Sequence, residues 1–224
     1  MNTNKSNKFF FTPLHKKTKR NYIERMMNNK VAAMKVAELY DFDYWDGDRK
    51  YGYGGYKYIN GYFKPMAEQL IKEYNLNNHS SILDVGCGKA FLLYELKKIL
   101  PDLNIAGFDC SNYAIQNSKD EIKNFLFKHS ADKPLPFEDK KFDLVISTGC
   151  LHNLKLQGVK LALNEISRVG KKSYVMVESY RNRKELFNLQ CWALTCQTFL
   201  DESEWLWLFD YLKFNGDYEF IFFE

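Results

Sequence analysis

From Pro65 onward, short runs of apolar, β-branched and aromatic residues alternate with longer stretches in which apolar positions return every three to four residues. Strands buried on both faces read as continuous apolar runs, while each covering helix buries a single stripe, so this alternation predicts a parallel sheet flanked by helices. Strands are expected at 81–85, 104–109, 125–128, 142–147 and 172–178, with a last one at 218–223. Helices are expected at 89–100, stopped by Pro101, and from Ser111 as N-cap to about 121. Two more are expected at 156–169, ended by a left-handed Gly170, and at 202–214. Residues 192–199 fit either another strand or part of an acceptor-facing insertion. Before residue 65 the pattern is different: polar and basic, then aromatic and glycine-rich, reading as helix plus loop. The expected organisation is a cap over 1–65 and an α/β core over 66–224, with no internal repeat and a sheet of six or seven strands.

Composition narrows the class. With 224 residues, 46% hydrophobic and 27% charged, the chain can bury one substantial core, which excludes a disordered, fibrous or disulfide-stapled protein. No apolar run approaches a membrane span, and Phe9-Phe10-Phe11 is too short for a signal-peptide core. Five cysteines at spacings unlike zinc or redox motifs suggest reduced thiols, no metal and a cytoplasmic protein. The net charge of +4 divides into +7 over residues 1–30 and −3 over the rest. The arm's lysines are therefore candidates for holding a small anionic group, with a solvated terminus as the alternative.

Chemistry concentrates in the turn after the first strand, Asp84-Val-Gly86-Cys87-Gly88-Lys89-Ala90. In open α/β sheets this is where ligands bind, and Gly86 and Gly88 let the backbone approach closely. A dinucleotide fingerprint needs a third glycine where Phe91 stands, and a phosphate loop needs Ser or Thr where Ala90 stands. Asp84 would repel a phosphate but suits an ammonium or sulfonium. Asp109, at the end of the second strand, suits a ribose diol. S-Adenosylmethionine carries both groups.

Ile82-Leu-Asp-Val-Gly-Cys-Gly88, Gly107-Phe-Asp109, Pro134-Leu-Pro-Phe137 and Phe142-Asp-Leu-Val-Ile-Ser147 resemble, in order and spacing, the successive motifs of class I S-adenosylmethionine-dependent methyltransferases. The resemblance covers about residues 66–214 and implies a Rossmann-like sheet. It implies Asp84 at the methionine amino group, Gly86, Cys87 and Gly88 along methionine and ribose, and Asp109 on the ribose hydroxyls. Cys110 would then lie beside the adenine, whose amino group would meet Asp132 next to Ala131, with Ser130 as the alternative. Ser147 ends the fourth strand beside this site. Ala90 stands where the family has a third glycine.

The acceptor side is read from the cap and from the loops after strands four and five. His152 is placed to take a proton from an attacking hydroxyl, or else it packs the cofactor. Glu178 and Arg181 share a sheet edge, where they contact substrate or pair with each other. In the stretch from Asp43 to Tyr58, Arg49, Tyr51, Tyr53 and Tyr56 suit a lid that binds substrate, or else the tyrosines pack on the core. This segment resembles small bacterial methyltransferases of surface-polysaccharide biosynthesis, which implies a sugar, nucleotide-linked sugar or phosphoramidate acceptor. A nucleic-acid methyltransferase fits less well. The core is net acidic, and Ser147-Thr-Gly-Cys stands where an Asn-Pro-Pro-Tyr-like motif would follow strand four. A non-catalytic cofactor-binding scaffold is the remaining alternative.

Overall fold

Six parallel strands form one sheet in the order β3-β2-β1-β4-β5-β6 in a computed structural model that describes residues 5–224. The first four positions of the expected cap lie outside the described residues. The strands are β1 (Ser81–Val85), β2 (Asn104–Asp109), β3 (Leu126–Lys128), β4 (Phe142–Thr148), β5 (Gly170–Ser179) and β6 (Asp217–Phe222). The helices preceding the sheet are α1 (Thr12–His15), α2 (Tyr22–Met27), α3 (Lys30–Ala37), α4 (Phe42–Trp45) and α5 (Lys64–Tyr74). Then come α6 (Phe91–Ile99), α7 (Asn112–Gln116), α8 (Asp120–Lys123), α9 (Leu156–Val169), α10 (Arg183–Trp192) and α11 (Glu202–Tyr211). Among the described residues no helix is long and apolar enough to cross a membrane.

Alternate residues of each central strand feed opposite cores, as the pleat requires. Ile82, Leu144, Ile146 and Tyr174 pack with Leu70 of α5 and Leu93 and Leu96 of α6. Leu83, Val85, Val145, Val175 and Val177 pack with Leu163 and Ile166 of α9 and Trp205 and Phe209 of α11. Burial on both faces explains why these strands read as unbroken apolar runs.

Several expected boundaries move. Gly170 is extended (φ −98°, ψ 139°), not left-handed, so α9 runs straight into β5. Glycine is needed there for space, since a Cβ would lie 2.8 Å from Val145 Cγ2. The helix expected over 111–121 breaks into α7 and α8, where Ser118 turns its hydroxyl back onto the Ile115 carbonyl at 2.8 Å. Residues 192–199 are not a strand. Trp192 ends α10, and 193–199 follow as a loop pinned by amides of Gln197 and Thr198 donating to the His152 carbonyl, both at 3.0 Å. The expected boundary at 65/66 falls inside α5.

The basic arm is docked. Asn7 bridges to Tyr218 on the outer edge of β6. Glu219, fully buried, accepts from the amides of Phe10 (2.8 Å), Phe11 (3.0 Å) and Thr12 (2.6 Å), and from the Tyr174 hydroxyl (2.6 Å). It thereby caps α1, whose own N-cap residue Phe11 has no side-chain oxygen to offer. Lys5, Lys8 and Lys16 pair with Asp210, Glu73 and Glu224. Those lysines are thus spent on ion pairs at the surface of the core.

Candidate active site

The turn after β1 is shaped by two left-handed glycines, Gly86 (φ +77°) and Gly88 (φ +56°). A Cβ on Gly86 would meet Cys150 Sγ at 2.4 Å, and one on Gly88 would meet the Trp45 ring at 2.8 Å. Ala90 also adopts a left-handed conformation (φ +55°), which delays α6 to Phe91, two residues after the expected start. Asp84 is 2% exposed, and its Oδ1 is buried without a hydrogen-bond partner. Burial, with the Asp109 charge adding, pushes its carboxyl up to about 8. Asp109 accepts the amides of Gly88 and Ser111, one on each oxygen and both at 2.8 Å, so each oxygen keeps a lone pair for a further donor. Cys110 is exposed beside it, and Cys87 turns its thiol to the Gly88 carbonyl. Ala131 is buried. Asp132 is exposed and accepts from the Ser130 hydroxyl at 2.6 Å, which ties the two adenine candidates together. Ser147 is fully buried and spends its hydroxyl on the Val85 carbonyl at 3.0 Å, so it joins β4 to β1.

The cap closes over this turn through residues that motif reading passed by. Trp45 lies against Gly88 and donates from Nε1 to Ser111 Oγ at 2.9 Å. Asp46 accepts from Lys89 Nζ at 2.6 Å, from the Tyr113 hydroxyl at 2.7 Å and from the Tyr56 amide at 3.0 Å. Lys89 is 4% exposed at its side chain, so the lysine that invited a phosphate-loop reading is a latch for the cap. Tyr53 stacks on Trp45 at 5.3 Å and Tyr56 on Phe91 at 5.2 Å. Tyr51 is turned away and packs with Ala33, Ala37 and Leu194.

Beyond the Trp45–Tyr53 pair opens a cleft of about 470 Å³ lined by both Tyr53 and Tyr56, by Arg20, Arg25 and Arg49, and by Thr148, Gly149, His152 and Glu178 at the carboxyl ends of β4 and β5. His152 is 3% exposed. Its Nδ1 accepts the Glu178 amide at 3.1 Å, and Nε2 lies 3.4 Å from Glu178 Oε2. Nδ1 is therefore the unprotonated nitrogen, and Nε2 carries the proton and directs it at the carboxylate. Burial lowers the imidazole's pKa, so the ring stays neutral. A direct role for His152 as base does not fit this geometry, because neither nitrogen offers a free lone pair. Arg181 does not reach the cleft or Glu178. It pairs with Glu185 and Glu224 and covers the Phe222 ring at 4.2 Å.

A family described as "Methyltransferase domain" matches residues 76–213, more than half of the chain. The chain belongs to that family. Membership implies S-adenosylmethionine as methyl donor. The chain is 24% identical to malonyl-acyl-carrier-protein O-methyltransferase of Bacillus anthracis over 162 residues, 63% of this chain and 58% of that protein. It is 29% identical to demethylmenaquinone methyltransferase of Staphylococcus saprophyticus over 160 residues, 64% of this chain and 67% of the relative. The chain therefore spans little more than half the length of the first of these relatives. The crystal structure of the YcgJ protein of Bacillus subtilis shares the fold, with a TM-score of 0.52 at 18% identity, covering 65% of this chain and 66% of that one.

Within this methyltransferase domain the structure brings Asp84, Gly86, Cys87, Gly88, Asp109 and Cys110 to one edge of the sheet. Arg49, Tyr53, Tyr56, His152 and Glu178 gather in the neighbouring cleft, whereas Tyr51 and Arg181 are left outside it. Trp45, Asp46, Lys89, Arg20, Arg25 and Trp192 are the additions. The signal available for Asp46 and Lys89 was one of three acids in the aromatic cap and a lysine in a turn that rejects phosphate. Among the described residues no three His, Cys, Asp or Glu side chains come together as a metal site.

Proposed function

We propose that the chain is an S-adenosylmethionine-dependent O-methyltransferase whose acceptor is a small anionic or nucleotide-linked molecule, a surface-polysaccharide precursor being the one favoured. The observation that carries the cofactor reading is the unpartnered, buried Oδ1 of Asp84 beside two glycines that leave the backbone open. A buried carboxylate without a donor is costly, and a ligand ammonium removes that cost. Asp109 would take the ribose hydroxyls on its remaining lone pairs, and Cys110, Ala131 and Asp132 would border the adenine. Bound there, S-adenosylmethionine supplies an electrophilic methyl group. Glu178, open to the cleft, would take the proton of the acceptor hydroxyl, with His152 orienting it from behind as a positioning residue. The two relatives are named for unlike acceptors, malonyl-acyl-carrier protein and demethylmenaquinone. The cleft's arginines and tyrosines suit an anionic group joined to a sugar or base. A concave basic cleft favours a small molecule over a polynucleotide, which needs an exposed basic face.

The test is proton-linked binding. In the free protein Asp84 stays protonated up to about pH 8, whereas in the unfolded chain it ionises near 3.8. The folded state thus binds the extra proton, and this residue's contribution to stability falls as pH rises across that interval. An ammonium ligand favours the ionised carboxylate, so binding must release a proton below about pH 8. The affinity for S-adenosylhomocysteine is expected to rise from about pH 6 to about pH 8, by up to about tenfold per pH unit. Calorimetry in buffers of different ionisation enthalpy should show that release, and Asp84→Asn should abolish it with a large loss of affinity. Binding that is unaffected by Asp84→Asn would remove the assignment.

A further inference from the structure

The cleft's charge is unbalanced. Arg20, Arg25, Arg49 and Lys57 line it, with Glu178 as its one carboxylate among the described residues. His15, also on the lining, adds no charge at neutral pH, because burial and the nearby Arg20 push its imidazole down to about 4. The three guanidiniums come from separate segments: the loop after α1, helix α2 and the turn following α4. They gather around one ring. Arg20, Arg25 and Arg49 lie 5.4, 5.1 and 5.1 Å from the centroid of Trp192, and Arg20 is also 5.2 Å from Phe223.

None of the three forms an ion pair among the described residues, although Arg168 and Arg181 each pair with two carboxylates. Backbone carbonyls hold them instead. Arg20 donates to His15 and Thr18, Arg25 to Arg49 at 2.6 Å, and Arg49 to Gly52. The Nε–H groups of Arg20 and Arg25 are buried with no partner. Burial lowers the pKa of all three, and for Arg25, pushed to about 10, the Arg49 charge adds to it. Cation–π contacts at partly exposed sites are too weak to offset gathering three partly desolvated like charges. An arrangement that is unfavourable when empty and missing its counter-charge is what an anion site requires.

We propose that Arg20, Arg25 and Arg49, arrayed around Trp192, bind a phosphoryl group of the acceptor, a monophosphate or diphosphate. As an acceptor subsite this rests on the methyltransferase reading of the same cleft. A planar carboxylate is satisfied by one guanidinium fork, whereas a tetrahedral dianion has oxygens for donors converging from several sides. Glu178 lies close enough for its charge to be felt at Arg20. A phosphoryl group among the arginines therefore leaves the rest of the acceptor to reach the carboxylate that takes its proton.

The experiment loads the full chain with S-adenosylhomocysteine and titrates pyrophosphate, inorganic phosphate and acetate at fixed ionic strength by calorimetry. Pyrophosphate is expected to bind at least about tenfold more tightly than acetate. Arg25→Gln and Arg49→Gln should each weaken pyrophosphate about tenfold while leaving S-adenosylhomocysteine affinity unchanged. Arg49 is the most exposed of the three, so its substitution keeps the test available if Arg25→Gln does not fold. Equal affinity for acetate and pyrophosphate, or a pyrophosphate affinity that Arg49→Gln leaves intact, would overturn the phosphoryl site. Tight pyrophosphate binding to a chain that ignores S-adenosylhomocysteine would instead sink the methyltransferase reading and leave the anion site standing.

Discussion

Replacing Glu178 by Gln is expected to lower kcat by about 10²–10³-fold while leaving cofactor affinity and folding nearly unchanged. Gln keeps the shape and still offers an oxygen to the Nε2–H of His152, but it cannot accept a proton. The effect should therefore appear in the chemical step and not in binding. His152→Ala should cost less at its pH optimum, because it removes the group that orients the carboxylate and not the proton acceptor. The acid limb of the wild-type rate profile should reflect His152. Protonating His152 places an N–H against the Glu178 amide that Nδ1 now accepts, and the burial that lowers the imidazole's pKa resists that step. The measurement is S-adenosylhomocysteine release at saturating acceptor across pH. A Glu178→Gln rate within a few-fold of wild type would mean that the attacking oxygen arrives already ionised, with no base required.

Asp46→Ala is expected to be the most destabilising substitution in the cap, at about 3–5 kcal/mol, because it leaves Lys89 charged in a buried position without its partner. Asp46 accepts two hydrogen bonds from Lys89, at 2.8 and 2.6 Å, as well as those from Tyr113 and the Tyr56 amide. The loss should register as a lower urea midpoint with an unchanged denaturant slope. Because Trp45 adjoins Asp46 and lies on Gly88, cofactor affinity should fall as well. The double variant Asp46→Leu, Lys89→Met separates the causes: removing both charges should recover much of the stability but not the position of the cap. A single Asp46→Ala variant as stable as wild type would show that Lys89 finds water or another acceptor, and that the cap is not latched there.

The contrast between Asp84 and Asp46 shows how legibility divides. The place of Asp84 was readable because it is set locally: an acid near the end of an apolar run, followed by two left-handed glycines. Asp46 sits in an aromatic stretch with two other acids close by, and nothing in the neighbouring residues shows that a lysine from the turn after β1 will lie beneath it. His152 and Arg181 illustrate the same limit. Both residue types suit methyl transfer, and both follow strands that end at the site. Yet one is committed to the Glu178 amide, and the other to Glu185 and Glu224. Glu219 carried no signal at all, since its partners are amides of a segment at the far end of the chain.

The amino-acid sequence by itself determined the parallel sheet, the sequence of its strands, the turn after β1 and the placement of Asp84 and Asp109 at the ends of β1 and β2. These follow from periodicity and backbone conformation, which neighbouring residues control. The tertiary structure alone decided which cations face the cleft, which carboxylate is open to an acceptor, and that the N-terminal arm docks on β6 and Glu219. Charge and hydrogen-bond commitments are settled by whichever groups folding brings within a few ångströms. For Arg20, Arg49 and Trp192, those neighbours come from segments that are distant along the chain.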